Sequence, residues 1–509
     1  MRAARTALTL RWLPALAGAA YVLTVVVLGT RLVDDNDWDT DVSAPFAVAE
    51  QLRGSGPVHI PHYGEFTTFW WLLATRWLPW HASIWDASGY VLAVATALLL
   101  GWATARVAGR WAGVTAGATA LVVGPFALRA LLSLASHVTN PVGAVVLGSA
   151  VVLLPRTRSW LLVAAVGIIA GTNAASDGLL WFAGVVPFAV ATAVLARAMR
   201  RRDIALRGGA ILAVTVITAV ATTLVMRALD FHVIGLHVDL ASVHELPSNI
   251  RHLGRMIALL GGANYALPGP YPHEPLRLLV ALLWLGGIGS ALVAAIRLRH
   301  ADATLRAYAL FWAAAIVCLC VVFVVTRNAA ALGPKSSNYL LTLAPAAGAG
   351  AALLARRARA GQVLVAVAVS VVAAANIASI RDGRAEGGRS WAIAVHSQEI
   401  SRALEREGVA RGFAGYWDAQ NLSWQTHMRL RVAPVANCGE TLCPYNFFTI
   451  SSWYDERGGP TFLLIDPTNA VVQAPPFAGS AASTYRFGPL RLFVFRYDIA
   501  RRFRRYAPS

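Results

Sequence analysis

The sequence predicts a polytopic α-helical membrane protein of about eleven spans, followed by a smaller exported domain that is α/β or β-rich. Three observations carry that expectation. Hydrophobic residues make up 57% of the 509 residues and charged ones only 14%, a composition suited to lipid rather than water. Apolar runs long enough to cross a bilayer recur over the first three quarters of the chain, and the connections between them alternate between arginine-rich and arginine-poor. The net charge of +18 is scattered as short clusters between apolar runs, the pattern of cytoplasmic loops rather than of a nucleic-acid-binding face.

The first run, Trp12 to Val33, follows Arg2, Arg5 and Arg11. It is too long for the apolar part of a signal peptide and reads as an uncleaved first span, with cleavage after "AGAA" (17–20) as the alternative. Further spans are expected at 83–105, 111–132, 141–155, 160–175, 178–196, 206–228, 276–296, 307–326, 339–355 and 361–380. Every second connection carries arginines: Arg106 and Arg110, Arg156 and Arg158, Arg197 to Arg207, Arg297 to Arg306, and Arg356 to Arg359. The positive-inside rule makes these connections and the N-terminus cytoplasmic. Residues 1–380 then form a membrane domain with large outside loops at 34–82 and 229–275, and 381–509 an extracytoplasmic soluble domain. In that tail the composition turns polar and aromatic, with strand-like runs such as "TFLLID" and "RLFVFRYD". Cys438 and Cys443 fall in it, where an oxidising compartment permits a disulfide; Cys318 and Cys320 lie within a span and read as core.

The chain has 26 acidic residues, and five of them (Asp34, Asp35, Asp37, Asp39 and Asp41) follow directly on the first span. Asp39 or Asp41 can cap a helix through "VSAPFAVAEQLRG", which accounts for one carboxylate and leaves the others as crowded like charges. A carboxylate held at a membrane surface can serve as general base on an acceptor hydroxyl or help hold a metal. Later in the loop, "HIPHYGEFTTFWW" combines His59, His62, Tyr63 and Glu65 with aromatics. The group reads as a surface for a sugar or an acceptor, with an interfacial aromatic belt as the plain alternative; His59, His62 and Glu65 also have a spacing that suits a metal.

The aspartate at the start of the first large outside loop, followed by an amphipathic helix ending in "AEQLRGSG", resembles the multi-spanning glycosyltransferases of the GT-C class. That class includes mannosyl-, arabinosyl- and aminoarabinose transferases, which take a sugar from a polyprenyl-phosphate carrier at the outer face of the membrane. The resemblance covers the first span and loop well and the span plan loosely. Its acidic motif, placed before the position of Ala49, implies Asp41 with Asp39 as an Asp-x-Asp partner, and Asp37 beside them on the substrate.

Release of a phosphate requires fixed positive charge near the outer surface. The stretch "TRNAAALGPKSSNYLLTLAP" offers Arg327 and Lys335, the single lysine of the chain, before Tyr339 enters a span. It resembles the Arg-Tyr entry to a late helix of the class, with Asn338 at the arginine's place, so that Lys335 or Arg327 would serve. The loop 229–275, with His232, His237, Asp239, His244, Glu245 and Arg251 ahead of "GANYALPGPYPHEP", reads as a cover over the lipid-sugar cavity. Asp177 in "NAASDGLLW", and His137 with Asn140 in "HVTNP", read as helix caps and as weaker site candidates.

The reading expected from these features is a cell-membrane hexosyl- or pentosyltransferase, inverting by one-step displacement. Its partners would be a polyprenyl-phosphate-linked sugar, a glycan, lipid or protein acceptor of the cell envelope, and membrane lipid, with no nucleic acid. No cofactor is fixed by the residues, and metal dependence stays open. A transporter or carrier of envelope precursors is the alternative, although few charges lie inside the spans and no internal repeat is visible. A non-catalytic protein anchored by its spans is a third reading, for which eleven helices are excessive.

Overall fold

The computed structural model describes residues 12–25, 27, 40–52, 56–61, 66–79, 81–132, 137–234, 239–263, 274–327, 333–381, 392–467 and 472–504. In chain order the elements are α1 (Trp12–Val25), α2 (Thr40–Gln51), β1 (Val58–Pro61), α3 (Phe66–Thr75), α4 (His81–Ala108), α5 (Arg110–Leu121), α6 (Pro125–Leu132), α7 (Thr139–Leu153) and α8 (Trp160–Ser176). A π-helical turn (Trp181–Val185) leads into α9 (Val186–Met199), followed by α10 (Arg202–Ala228), β2 (Phe231–Ile234), α11 (Leu246–Leu260), α12 (Glu274–Arg297) and α13 (Ala303–Val325). A 3-10 helix (Gly333–Leu340) enters α14 (Leu343–Ala355), and α15 (Arg359–Arg381) completes the helical part. The C-terminal part comprises α16 (Ala392–Glu407), β3 (Arg411–Gly415), α17 (Tyr416–Gln425), β4 (Arg431–Cys438), β5 (Thr441–Pro444), β6 (Thr449–Ile450), β7 (Thr461–Ile465), β8 (Ser483–Phe487) and β9 (Leu490–Phe495).

Among the described residues six helices are long and apolar enough to cross a membrane, and the pair α5–α6 is a seventh if taken as one broken span. Four shorter apolar helices, α1, α7, α8 and α14, accompany them. Together these stretches correspond one to one with the expected spans. Large apolar side chains on them face outward, Leu161 80% and Ile217 66% exposed, as lipid contact permits and water would not. The chain is a multi-pass membrane protein.

Helices approach closely where glycine faces glycine. A Cβ on Gly113 would stand 2.4 Å from the Gly101 carbonyl oxygen, so α4 and α5 pack backbone to backbone, the small-residue contact that replaces hydrophobic driving force in lipid.

The expected span 111–132 is not continuous. α5 and α6 meet at 92°, because Pro125 lacks a backbone N–H and disfavours helix at Gly124 before it. The freed backbone groups are satisfied within the protein: the Tyr21 hydroxyl and Asn376 Nδ2 (3.1 Å) both donate to the Val123 carbonyl, and Gly124 N–H donates to the Leu260 carbonyl. A break at membrane depth is tolerable only under that condition. The loop 229–275 also differs from a plain covering segment, since it contains β2 and α11, whose residues Met256 to Leu260 are buried. The coiled path expected over most of "GANYALPGPYPHEP" lies outside the described residues.

The C-terminal part is a six-stranded sheet in the order β5-β4-β3-β7-β9-β8, with β3 parallel to both β4 and β7. The runs "TFLLID" and "RLFVFRYD" supply β7 and β9. Every residue of β7 is buried, as in a strand covered on both faces. One face packs against α16 and α17 through Ile400, Leu404 and Leu422, the other against Ile499 and Phe503. Cys438 and Cys443 are disulfide-bonded across the β4–β5 hairpin.

Candidate functional site

A second, three-stranded sheet gathers the segments that matter. β1 pairs in parallel with β2 and antiparallel with β6, and Ser451 N–H donates to the Pro57 carbonyl at 2.9 Å. The first long loop, the second long loop and the C-terminal part therefore meet at one end of the helix bundle. The arginine-rich connections meet elsewhere: Arg156 donates to the Arg106 carbonyl at 3.1 Å and Arg201 to the Pro155 carbonyl at 3.1 Å.

Of the aspartate cluster, Asp34, Asp35, Asp37 and Asp39 lie outside the described residues, as do His62, Tyr63 and Glu65. Asp41 occupies the first turn of α2. That helix is fixed by Ala44 to Ala49, all buried, and by Phe46, whose ring meets Trp424 of α17 edge-on at 4.5 Å. Pro45 cannot donate to the carbonyl four residues back, which is that of Asp41. His59 on β1 contacts Ser451 Oγ at 2.9 Å and stands 5.6 Å, ring to ring, from His232. Burial, and then the like charge of His232, hold its pKa below the ordinary histidine value, with Asp230 opposing. Among the described residues no group of three His, Cys, Asp or Glu is placed to hold a metal.

Arg327 is held by Glu245: Nε donates to Oε1 at 3.0 Å and Nη2 to Oε2 at 3.3 Å. Hydrogen bonds from Ser242 N–H and from Arg327 keep the Glu245 carboxyl below its usual range. Lys335 lies on the 3-10 helix, whose next residue, Ser336, contacts His252 Nε2 at 2.8 Å. The Tyr339 ring meets the His137 ring edge-on at 4.4 Å.

His137 opens onto a cluster that the sequence offered as helix caps and as weaker site candidates. Its φ of 72° turns the chain sharply into α7, and its Nδ1 contacts Asp177 Oδ2. Asn140 donates to the same oxygen at 2.6 Å, and Leu179 N–H donates to Asp177 Oδ1 at 2.9 Å. Burial alone would raise the Asp177 pKa; the His137 charge and these hydrogen bonds outweigh it and hold the carboxyl below its ordinary value. An ionised carboxylate only accepts, so Nδ1 carries the proton. Asp177 does cap a turn, as expected, and it also joins three segments: the turn before α7, the turn after α8 and, through His137, the 3-10 helix.

Around this junction polar atoms are left over. Thr139 Oγ1, Asn140 Oδ1, Ser337 Oγ, Asn338 Oδ1 and Thr342 Oγ1 are buried and have no hydrogen-bond partner among the described residues. Each lies within three residues of His137 or Tyr339. Buried polar groups are ordinarily satisfied, and a concentration of exceptions marks a place where water or a ligand completes the bonding. The sequence signal was the presence of polar residues in two turns assigned to the same side of the membrane.

No family model matches the chain, and no curated protein matches it by sequence. Similarity appears at the level of structure. ArnT from Cupriavidus metallidurans in the apo state aligns with a TM-score of 0.59 at 13% identity, covering 96% of this chain and 99% of that one. The chain has the fold of ArnT. ArnT bound to undecaprenyl phosphate aligns with a TM-score of 0.55 at 14% identity, over 94% of this chain and 97% of that one. The coverage runs through both the spans and the C-terminal sheet, so the likeness of fold extends over nearly the whole molecule.

Proposed function

We propose that the protein is a membrane glycosyltransferase that moves a sugar from a polyprenyl-phosphate carrier to a cell-envelope acceptor on the outer face of the membrane. The observation that carries this reading is the sharing of the ArnT fold over nearly the full length of both chains, including ArnT bound to undecaprenyl phosphate. In this reading the end that holds the three-stranded sheet faces outward, the arginine-rich connections and the N-terminus face the cytoplasm, and residues 381–509 lie outside. Asp41, with Asp39 as its neighbour, accepts the proton of the acceptor hydroxyl, with Asp37 beside them.

Lys335 meets the departing phosphate, Tyr339 adds a hydroxyl donor, and Arg327 contributes from its pair with Glu245. His62, Tyr63 and Glu65 seat the sugar or acceptor. The buried polar atoms beside His137 and Tyr339 support a ligand at that depth, because a phosphate or a sugar hydroxyl would satisfy them. Displacement in one step inverts the anomeric carbon. The test is transfer of radiolabelled sugar from defined polyprenyl-phosphate donors in vesicles containing the purified full chain. Turnover with at least one donor, and an inverted linkage in the product, is the expected result; absence of transfer from pentose, hexose and amino-sugar donors to envelope extract would remove the reading.

A further inference from the structure

A cavity of about 710 Å³ opens where the C-terminal end of α2 meets the C-terminal sheet. Its wall contains Arg411, Arg429, Arg431 and Arg457, against Glu50 as the one acidic lining residue among those described. The four arginines are not equivalent. Arg411 is built into the fold, donating to Asp498 Oδ2 at 2.5 Å and to the carbonyls of Trp453 and Asp455 at 2.9 and 2.6 Å. Arg457 donates one Nη to the Ser452 carbonyl at 3.0 Å, and Arg429 its Nε to the Thr426 carbonyl at 3.2 Å. The exposed guanidinium of Arg431 has no hydrogen bond or ion pair among the described residues. With Asp498 balancing Arg411 and Glu50 balancing one more charge, two positive charges remain uncompensated among the described lining residues.

A second feature points the same way. Ser452 lines this cavity, is about nine-tenths buried and has no partner for its hydroxyl among the described residues. Like charges facing one another across a cavity repel, and an anion removes that cost. Guanidinium groups present paired donors that fit the oxygens of phosphate or carboxylate. The volume is in the range of a small-molecule site and exceeds what a lone oxyanion fills, while Trp453, Met428 and Val432 offer apolar wall.

We propose that this cavity binds an oxyanion-bearing sugar, a phosphorylated or uronic-acid unit of the acceptor glycan. α2 then acts as a spacer, with Glu50 at the cavity and Asp41 nine residues earlier, about 13 Å along the helix axis. The assignment of the ligand to the acceptor rests on the transferase reading above; the anion site itself does not. The experiment is titration of the full chain, in nanodiscs of zwitterionic lipid, with glucose 1-phosphate, glucuronate and neutral glucose. At least one charged sugar should bind saturably and glucose should not, and which of the two binds identifies the oxyanion. Affinity should fall at least tenfold in Arg429→Ala/Arg431→Ala and stay unchanged in Lys335→Ala, which separates this site from the donor phosphate. Arg429→Lys/Arg431→Lys keeps the charge without the fork, should bind with intermediate affinity, and decides the matter if the alanine variant does not fold. Failure of both charged sugars to bind, wild-type affinity in the arginine variants, or loss in Lys335→Ala instead would overturn the proposal. Binding needs no donor and no turnover, so a protein that binds but never transfers would lose the transferase reading and keep the site.

Discussion

The two ends of the helix bundle use similar residues for different purposes. At the arginine-rich end, Asp203 accepts from Nη2 of both Arg201 and Arg207 at 2.7 Å, and Arg156 and Arg201 donate to carbonyls of neighbouring connections. Charge there ties helix ends together. At the other end, His137, Asn140 and Asp177 make an equally tight knot, yet the hydroxyl and amide atoms flanking it have no partner among the described residues. A fold under selection for stability alone would satisfy such atoms, since each unsatisfied buried group costs about 1–3 kcal/mol. The arginine-rich joint also leaves one such atom, Arg207 Nη1, against five beside His137 and Tyr339 among the described residues, so it is the concentration of incomplete bonding, more than charge density, that marks the candidate site.

The largest test of that contrast is Asp41→Asn. A general base contributes about 10²- to 10⁴-fold to rate, and asparagine keeps the side chain's size, so sugar transfer should collapse while the melting temperature holds. Asp39→Asn should only impair transfer if Asp41 is the base, and the outcomes exchange if Asp39 is. Wild-type rates in both variants would return the aspartates to the role of helix cap.

Next in size is the buried knot. His137→Ala removes the Nδ1 hydrogen bond to the Asp177 carboxylate, only 3% exposed, and leaving a buried charged group short of a partner costs about 3 kcal/mol. Arg201→Ala at the opposite end should cost less, because that side chain is 33% exposed, its partner Asp203 is 47% exposed, and Asp203 keeps its bond from Arg207. Thermal unfolding of both variants in detergent measures the difference; equal losses would show that the two joints are of one kind.

Lys335→Ala should weaken use of the lipid donor by about 1.5–3 kcal/mol, the value of a hydrogen bond to a charged group, read as a rise in donor KM of about 10- to 150-fold. Arg327→Ala should do much less, because its guanidinium is already engaged by Glu245 at an exposed position. An inversion of that order would make Arg327 the phosphate ligand.

The fold was legible in the sequence because lipid imposes one requirement that composition records directly: long apolar runs, with arginines in every second connection. What stayed hidden depends on contacts far apart in the chain. Gly124-Pro125 is visible as a helix breaker, but the break is acceptable only because Tyr21, Leu260 and Asn376 reach it. "HVTNP" and "SDGLLW" each look like a cap when read locally, and indeed Asp177 caps a turn; their joint role appears only when residues 40 positions apart bond. β6 is two residues long, too short to announce a strand, although it carries the C-terminal part onto the first loop. For the aspartates the sequence remains the stronger witness, since only Asp41 of the five lies within the described residues.

The smallest effect concerns the sheet that assembles the site, and it is a dependence on pH. His59 sits between Ser451 of the β6 segment and His232 of β2, and burial followed by the His232 charge favours its neutral form. A histidine whose folded pKa is depressed stabilises the fold fully above its unfolded pKa of about 6.5, and that contribution is lost as pH falls through the lower, folded value. The unfolded chain binds the proton first, so acidification draws the equilibrium toward it. Wild-type protein should therefore lose more thermal stability between pH 7.5 and pH 5.5 than His59→Gln, which keeps a polar contact to Ser451 and does not titrate. Because the sheet holds the first loop against the C-terminal part, the acid-induced loss should appear first as amide hydrogen exchange at residues 58–60, 231–234 and 449–450, before the spans respond. Parallel pH profiles for wild type and His59→Gln, or exchange that begins in the spans, would show that this sheet is not where the molecule first yields.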